Sequence, residues 1–130
     1  MIDYLMKFLP YMLQSTVMTL KIFALTLALA LPLGLPVALG SNCRLKPLAW
    51  LCRLYVLIFR GTPLMLQLFF FYFFFPLVLK IKISVFVTVI LTFVLNYAAY
   101  LAEIYRGGIN SVDKGQHEAA FALGLSKKQT

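Results

Sequence analysis

The side chains able to do chemistry in this sequence are few, and their spacing sets what that chemistry is. Glu103 and Arg106 stand three residues apart, a separation that lets opposite charges pair along one helix face. Glu118-Ala119-Ala120 comes next, with Gly124 four residues after Ala120. A carboxylate beside two alanines offers a charge-assisted hydrogen bond next to a surface that a partner can approach closely. Spacing alone leaves two readings of that stretch open, a docking helix and an ordinary surface helix. Asn96 and Gln67 are amides in apolar surroundings; each can bond a neighbouring helix or line a polar path. In Arg60-Gly61-Thr62-Pro63 a cation precedes a backbone constraint, because Pro63 pushes Thr62 towards extended geometry and breaks a helix there. One continuous helix from Tyr55 with Arg60 inside it is the alternative.

No catalytic constellation accompanies these groups. His117 is the single histidine, on a stretch read as a solvated surface helix, and no nucleophile–base–orienter set surrounds it. No Gly-rich phosphate loop of the P-loop type occurs, so ATP hydrolysis is not expected of this chain. Cys43 and Cys52 match no metal-ligand spacing and read as ordinary thiols. No metal and no cofactor are expected.

The elements that must position these residues belong to a membrane. The chain has 130 residues, is 62% hydrophobic and only 12% charged, against about 25% charged in soluble domains. Three charge-free runs, Ile22–Cys43, Gly61–Leu79 and Ile83–Ala102, each approach the ~20 residues a helix needs to cross ~30 Å of hydrocarbon. Their length exceeds that of a signal-peptide apolar region. The spacing therefore predicts an amphipathic lead-in over Met1–Met18, a first span over Ile22–Gly40, a loop over Ser41–Arg53, a second span after Pro63 that ends near Pro76, and a third span over Ile83–Ala102. Pro32, Gly34 and Pro36 read as a packing kink in the first span, with a gate as the other reading. Gly107-Gly108 reads as the stop of the third helix. Asp113 with Gln116 forms a capping-box pattern that opens a short helix ending at Gly124, and Ser126 with Gln129 repeats the pattern.

The net charge of +8 reads as membrane topology rather than nucleic-acid binding, since the charges lie between apolar spans and not on one solvated face. Arg44, Lys46, Arg53, Arg60, Arg106, Lys114, Lys127 and Lys128 share one side if the Ser41–Arg53 loop and the tail do; Lys7, Lys21, Lys80 and Lys82 lie on the other. That excess makes the first side cytoplasmic, with the N-terminus outside and the Glu118–Gly124 helix in the cytoplasm.

Three motifs in order carry a resemblance. Glu118-Ala119-Ala120-x-x-x-Gly124 resembles the EAA loop of ABC-transporter permease subunits. Arg60-Gly61-Thr62-Pro63-Leu64-x-x-Gln67 and Asn96-x-x-Ala99-Tyr100-x-Ala102-Glu103-Ile104-x-Arg106-Gly107-Gly108-Ile109 resemble motifs of the branch that takes up polar amino acids. The resemblance implies an all-α integral membrane protein: three transmembrane helices plus a cytoplasmic coupling helix, part of a five-helix permease fold. Residues 1–130 form one transmembrane domain, and because family members continue through two further helices, the chain is expected to be truncated at its C-terminus.

By the same resemblance the chain is a permease subunit of an importer in a bacterial inner membrane. ATP is bound by an ATP-binding partner subunit. A second permease copy or paralogue, an extracytoplasmic amino-acid-binding protein and the lipid bilayer are the other partners, and nucleic acid is not one. Glu118, Ala119, Ala120 and Gly124 couple to the ATPase. Asn96, Gln67 and Glu103 are candidates for the substrate path, while Arg60, Gly61, Thr62, Pro63, Arg106 and Gly107 are architectural. A truncated, non-transporting fragment and a small accessory or pore-forming membrane protein are the rival expectations.

Overall fold

A computed structural model describes residues 2–126 and 129. Five helices follow one another: α1 (Ile2–Ser41), α2 (Lys46–Gly61), α3 (Leu64–Leu77), α4 (Val85–Asn110) and α5 (Lys114–Ala122). Among the described residues no strand occurs. The segments Met6–Ser41 and Val85–Asn110 are each long and apolar enough to cross a membrane, whereas α2 and α3 pass that test only together and are bent by 107° at their junction. Two of the three expected spans are unbroken helices, α1 and α4; the second, expected after Pro63, is α3, whose 14 residues pass the test only when joined to α2 across the bend.

α1 runs unbroken for 40 residues through Pro10, Pro32 and Pro36, about 60 Å at 1.5 Å per residue. The lead-in expected over Met1–Met18 is thus, from Ile2 onward, the first part of α1 and no element of its own. Nor does the Pro32–Pro36 region end the helix. Gly34 is there for close approach: a Cβ on it would lie 2.9 Å from Leu101 Cβ and 3.2 Å from both Ala102 N and Ala98 O. Ala30 and Ala38 on α1 face Ala98, Ala99 and Ala102 on α4 as wholly or almost wholly buried residues. Small residues let the two backbones meet, the usual source of helix–helix attraction where lipid removes any hydrophobic gain. Ala38, Val56, Ala99 and Ala102 form the core, with Tyr55, Phe59 and Tyr105 packed on it.

The expected loop over Ser41–Arg53 is a correction. Only 42–45 connect α1 to α2, and α2 begins at Lys46. Pro47 suits the first turn, where no backbone N–H is needed, and the charges of Lys46 and Arg53 sit on a helix whose Ala49 and Val56 face inward. α2 packs closely on α1 as well, since a Cβ on Gly40 would come within 2.6 Å of Cys52 Sγ.

Gly107-Gly108 does not stop α4, a second correction. The helix continues to Asn110 and is closed by Ser111, whose N–H donates to the carbonyls of Gly107 (3.0 Å) and Gly108 (3.3 Å) and whose hydroxyl donates to Gly108 at 2.7 Å. Neither glycine adopts a left-handed conformation. At its other end α4 is capped by Ser84, whose hydroxyl accepts from Val87 N. The short link from α3 turns on Lys80, a non-glycine residue at φ 54°.

Candidate functional site

The polar side chains singled out by the sequence fall in three places. The first is the α2–α3 elbow. Thr62 and Pro63 are extended, at φ −114°, ψ 144° and φ −61°, ψ 136°, so the helix breaks where Pro63 requires it: Arg60 lies in the last turn of α2, and the helix does not continue from it into α3. Pro63 has no N–H, so the carbonyl of Phe59, four residues earlier, loses its helical donor. Two side chains replace it: Gln67 Nε2 donates to Phe59 O at 2.9 Å and Asn96 Nδ2 donates to it at 3.0 Å. The two amides also bond each other, Asn96 Nδ2 to Gln67 Oε1 at 2.9 Å. Gln67 further donates to Thr62 Oγ1 at 2.6 Å, while Thr62 Oγ1 donates to Ile58 O. Asn96 and Gln67 are 4% and 8% exposed. A bare carbonyl in hydrocarbon costs several kcal/mol, so this network is what makes the bend tenable. The amides of Asn96 and Gln67 are therefore engaged inside the chain. Tyr55 adds a second tie from α2 to α4 through a hydroxyl bond to Leu95 O.

The second place is an open cleft of about 660 Å³ between α2 and the C-terminal half of α4, reaching Ser41 at the end of α1. Glu103 and Arg106 pair here as their spacing predicts. Arg106 Nε donates to Glu103 Oε2 at 3.1 Å and Nη2 bonds Oε1. Arg60 Nη1 stands 3.9 Å from Glu103 Oε2 and its guanidinium carbon lies 5.4 Å from the Tyr100 ring centre, a cation–π geometry. The Arg60–Gln67 and Asn96–Ile109 motifs thus meet across two helices. Gly61 and Gly107 leave open space where a Cβ would be.

The third place is α5. Asp113 caps it, its carboxylate accepting from Gly115 N at 2.7 Å; the Gln116 half of the expected box is not made among the described residues. Gly124, at φ 71°, closes it. Gly124 N–H donates to Phe121 O and Leu125 N–H to Ala120 O, each at 3.0 Å, the bonding pattern of a Schellman motif. Ala120 is turned inward at 9% exposure, while Glu118 and Ala119 are exposed and Phe121 is 85% exposed. The surface that α5 offers is therefore Glu118, Ala119 and Phe121 rather than an Ala119–Ala120 pair. Phe121 was not singled out from the sequence; an aromatic at the open position of the EAA stretch is the signal. Asn42 Nδ2 bonds Asn110 Oδ1 at 3.1 Å, so α1 and α4 end side by side and lead into α5 at one end of the bundle. Of the Ser126–Gln129 box the half that reaches back is seen: Gln129 Oε1 accepts from Ser126 N at 3.0 Å and from Ser126 Oγ at 2.8 Å, while Gln129 N donates to the Ser126 carbonyl. Lys127 and Lys128, used in the charge count, lie outside the described residues.

The sequence profile described as "Binding-protein-dependent transport system inner membrane component" matches residues 30–130. The chain is 42% identical over 117 residues to the arginine transport system permease protein ArtQ of Bacillus subtilis, covering 90% of this chain and 53% of that protein. It is 38% identical over 128 residues to the L-cystine transport system permease protein TcyL of the same organism, covering 94% and 54%. The crystal structure of an amino acid ABC transporter with histidines superposes with a TM-score of 0.86 at 34% identity, over 96% of this chain and 58% of that one. The chain spans a little over half the length of these relatives.

Proposed function

The chain belongs to the binding-protein-dependent transport system inner membrane components, and from that premise we propose that it is a permease subunit of an ATP-driven importer of polar amino acids. The observation that carries the reading is α5: a capped, glycine-closed helix at the common end of α1 and α4, with Glu118 and Phe121 facing outward. An ATP-binding subunit docks on that surface in the cytoplasm and performs the hydrolysis. A second permease copy or paralogue completes the path, and an extracytoplasmic binding protein delivers the amino acid. The subunit lies in a bacterial inner membrane with its N-terminus outside, which places the arginine-rich end of the bundle inside.

In this reading Glu103, held between Arg60 and Arg106, borders the polar path, and Asn96 and Gln67 keep the elbow beside it in shape. Gly124 serves coupling through the backbone, by ending α5 where Glu118 and Phe121 are presented together. The names of the relatives include arginine and cystine permeases, which supports polar amino acids as the cargo class. The experiment is co-purification of the ATP-binding subunit with the Glu118→Lys protein from membranes. Association is expected to be lost while insertion is retained; undiminished association overturns the assignment of α5.

A further inference from the structure

The cleft between α2 and α4 holds more positive charge than the transport reading uses. Arg53, Arg60 and Arg106 line it against one carboxylate, Glu103, and both oxygens of Glu103 are taken by Arg106. Arg53 spends Nε and Nη2 on the Ser41 carbonyl, at 3.2 and 3.0 Å, and its Nη1 makes no hydrogen bond among the described residues. Arg60 makes no hydrogen bond among the described residues; it rests over Tyr100, 3.9 Å from Glu103 Oε2. The cleft therefore carries a net charge of two positives, with guanidinium donors unspent. A guanidinium fork matches the oxygens of a phosphate group.

We propose that this cleft binds the phosphate group of an anionic phospholipid. A free zwitterionic amino acid fits less well, because its ammonium would find no uncommitted carboxylate. The cleft wall also includes Val56 and Leu57, the latter 69% exposed, which gives an apolar rim beside the cations. That pairing suits an amphiphile whose chains lie along the bundle while its head enters between the helices, as basic pockets between membrane helices do for anionic headgroups. The site goes beyond the transport reading and does not rest on it. Soluble phosphate shares the chemistry, and the test separates the two sources.

The full chain in neutral detergent is titrated with phosphatidylglycerol, phosphatidylcholine and inorganic phosphate, with retention read by native mass spectrometry. Phosphatidylglycerol should be retained about tenfold more strongly than phosphatidylcholine, and Arg60→Gln should remove about tenfold of that affinity. Weak competition by inorganic phosphate assigns the site to lipid; competition equal to that of phosphatidylglycerol keeps the phosphate site and assigns it to the soluble ion. Equal retention of the two lipids, or retention unchanged in both Arg53→Gln and Arg60→Gln, overturns the proposal. Should Arg60→Gln lose its helical circular dichroism, Arg60→Lys carries the test. It keeps the charge and loses the fork, so about a threefold weakening is expected, and no weakening overturns the site.

Discussion

Asn96 and Gln67 bond each other at 2.9 Å and both donate to the Phe59 carbonyl, the acceptor that Pro63 cannot serve. Replacing either amide by leucine removes one donor from that carbonyl. Each single change should cost roughly 1–2 kcal/mol, and the pair should couple by at least about 0.5 kcal/mol. Denaturant unfolding of Asn96→Leu, Gln67→Leu and the double variant in detergent measures this. Additive costs would mean that the two amides act separately and that the shared carbonyl is not what joins them.

Gly34 should not accept a side chain. A Cβ there would stand 2.9 Å from Leu101 Cβ, and overpacking of this kind costs typically 1–3 kcal/mol. Gly34→Val is expected to loosen α1 from α4, seen as faster proteolysis of the purified protein. Gly61→Val meets open space and is the control; it should change proteolysis far less.

Gly124 holds φ 71°, a conformation that costs other L-residues roughly 1–2 kcal/mol. Gly124→Val should fray the end of α5 and weaken binding of the ATP-binding subunit, while Gly124→Asn, which tolerates this conformation better, should retain more of it. Equal loss in both variants would point to side-chain contact with the partner instead of helix closure.

Phe121 is 85% exposed beside Glu118. If α5 is the docking helix, Phe121→Ser should lower affinity for the ATP-binding subunit by at least about 1 kcal/mol, as buried aromatic anchors do, with no effect on the thermal unfolding of the chain. A drop in stability without a drop in affinity would make Phe121 a fold residue.

Lys80 also sits at positive φ, 54°, with no glycine to relieve it. Lys80→Gly should leave stability unchanged or raise it by up to about 1 kcal/mol, and Lys80→Val should lower it. Thermal unfolding in detergent compares the two.

Where the sequence was readable, a local constraint did the work. Pro63 acts on the residue before it, so the break at Thr62 could be placed without knowing any neighbour. Asp113 and Gly124 cap and close α5 by bonds that span five residues or fewer. Where it was not, a distant partner decided. Lys46 and Arg53 read as a loop because they are charged, yet Arg53 turns to the Ser41 carbonyl twelve residues back and the segment is helical. Gly107 and Gly108 have the freedom to end a helix and do not use it, because Ser111 ends α4 instead. The amides of Asn96 and Gln67 were legible as polar groups needing partners. The partner they share is a backbone carbonyl, which no residue type announces.

The elbow also sets an order of events during synthesis. The Phe59 carbonyl is made 8 residues before Gln67 and 37 before Asn96. At the ~5–20 residues per second of translation, Gln67 emerges within about 2 s of Phe59 and Asn96 only about 2–7 s after it. A donor within the segment itself is thus available to the bend before the next helix has left the ribosome, and the second donor comes only with that helix. α3 can fold back while α4 is still unmade, and the arrival of α4 then fixes what had been provisional.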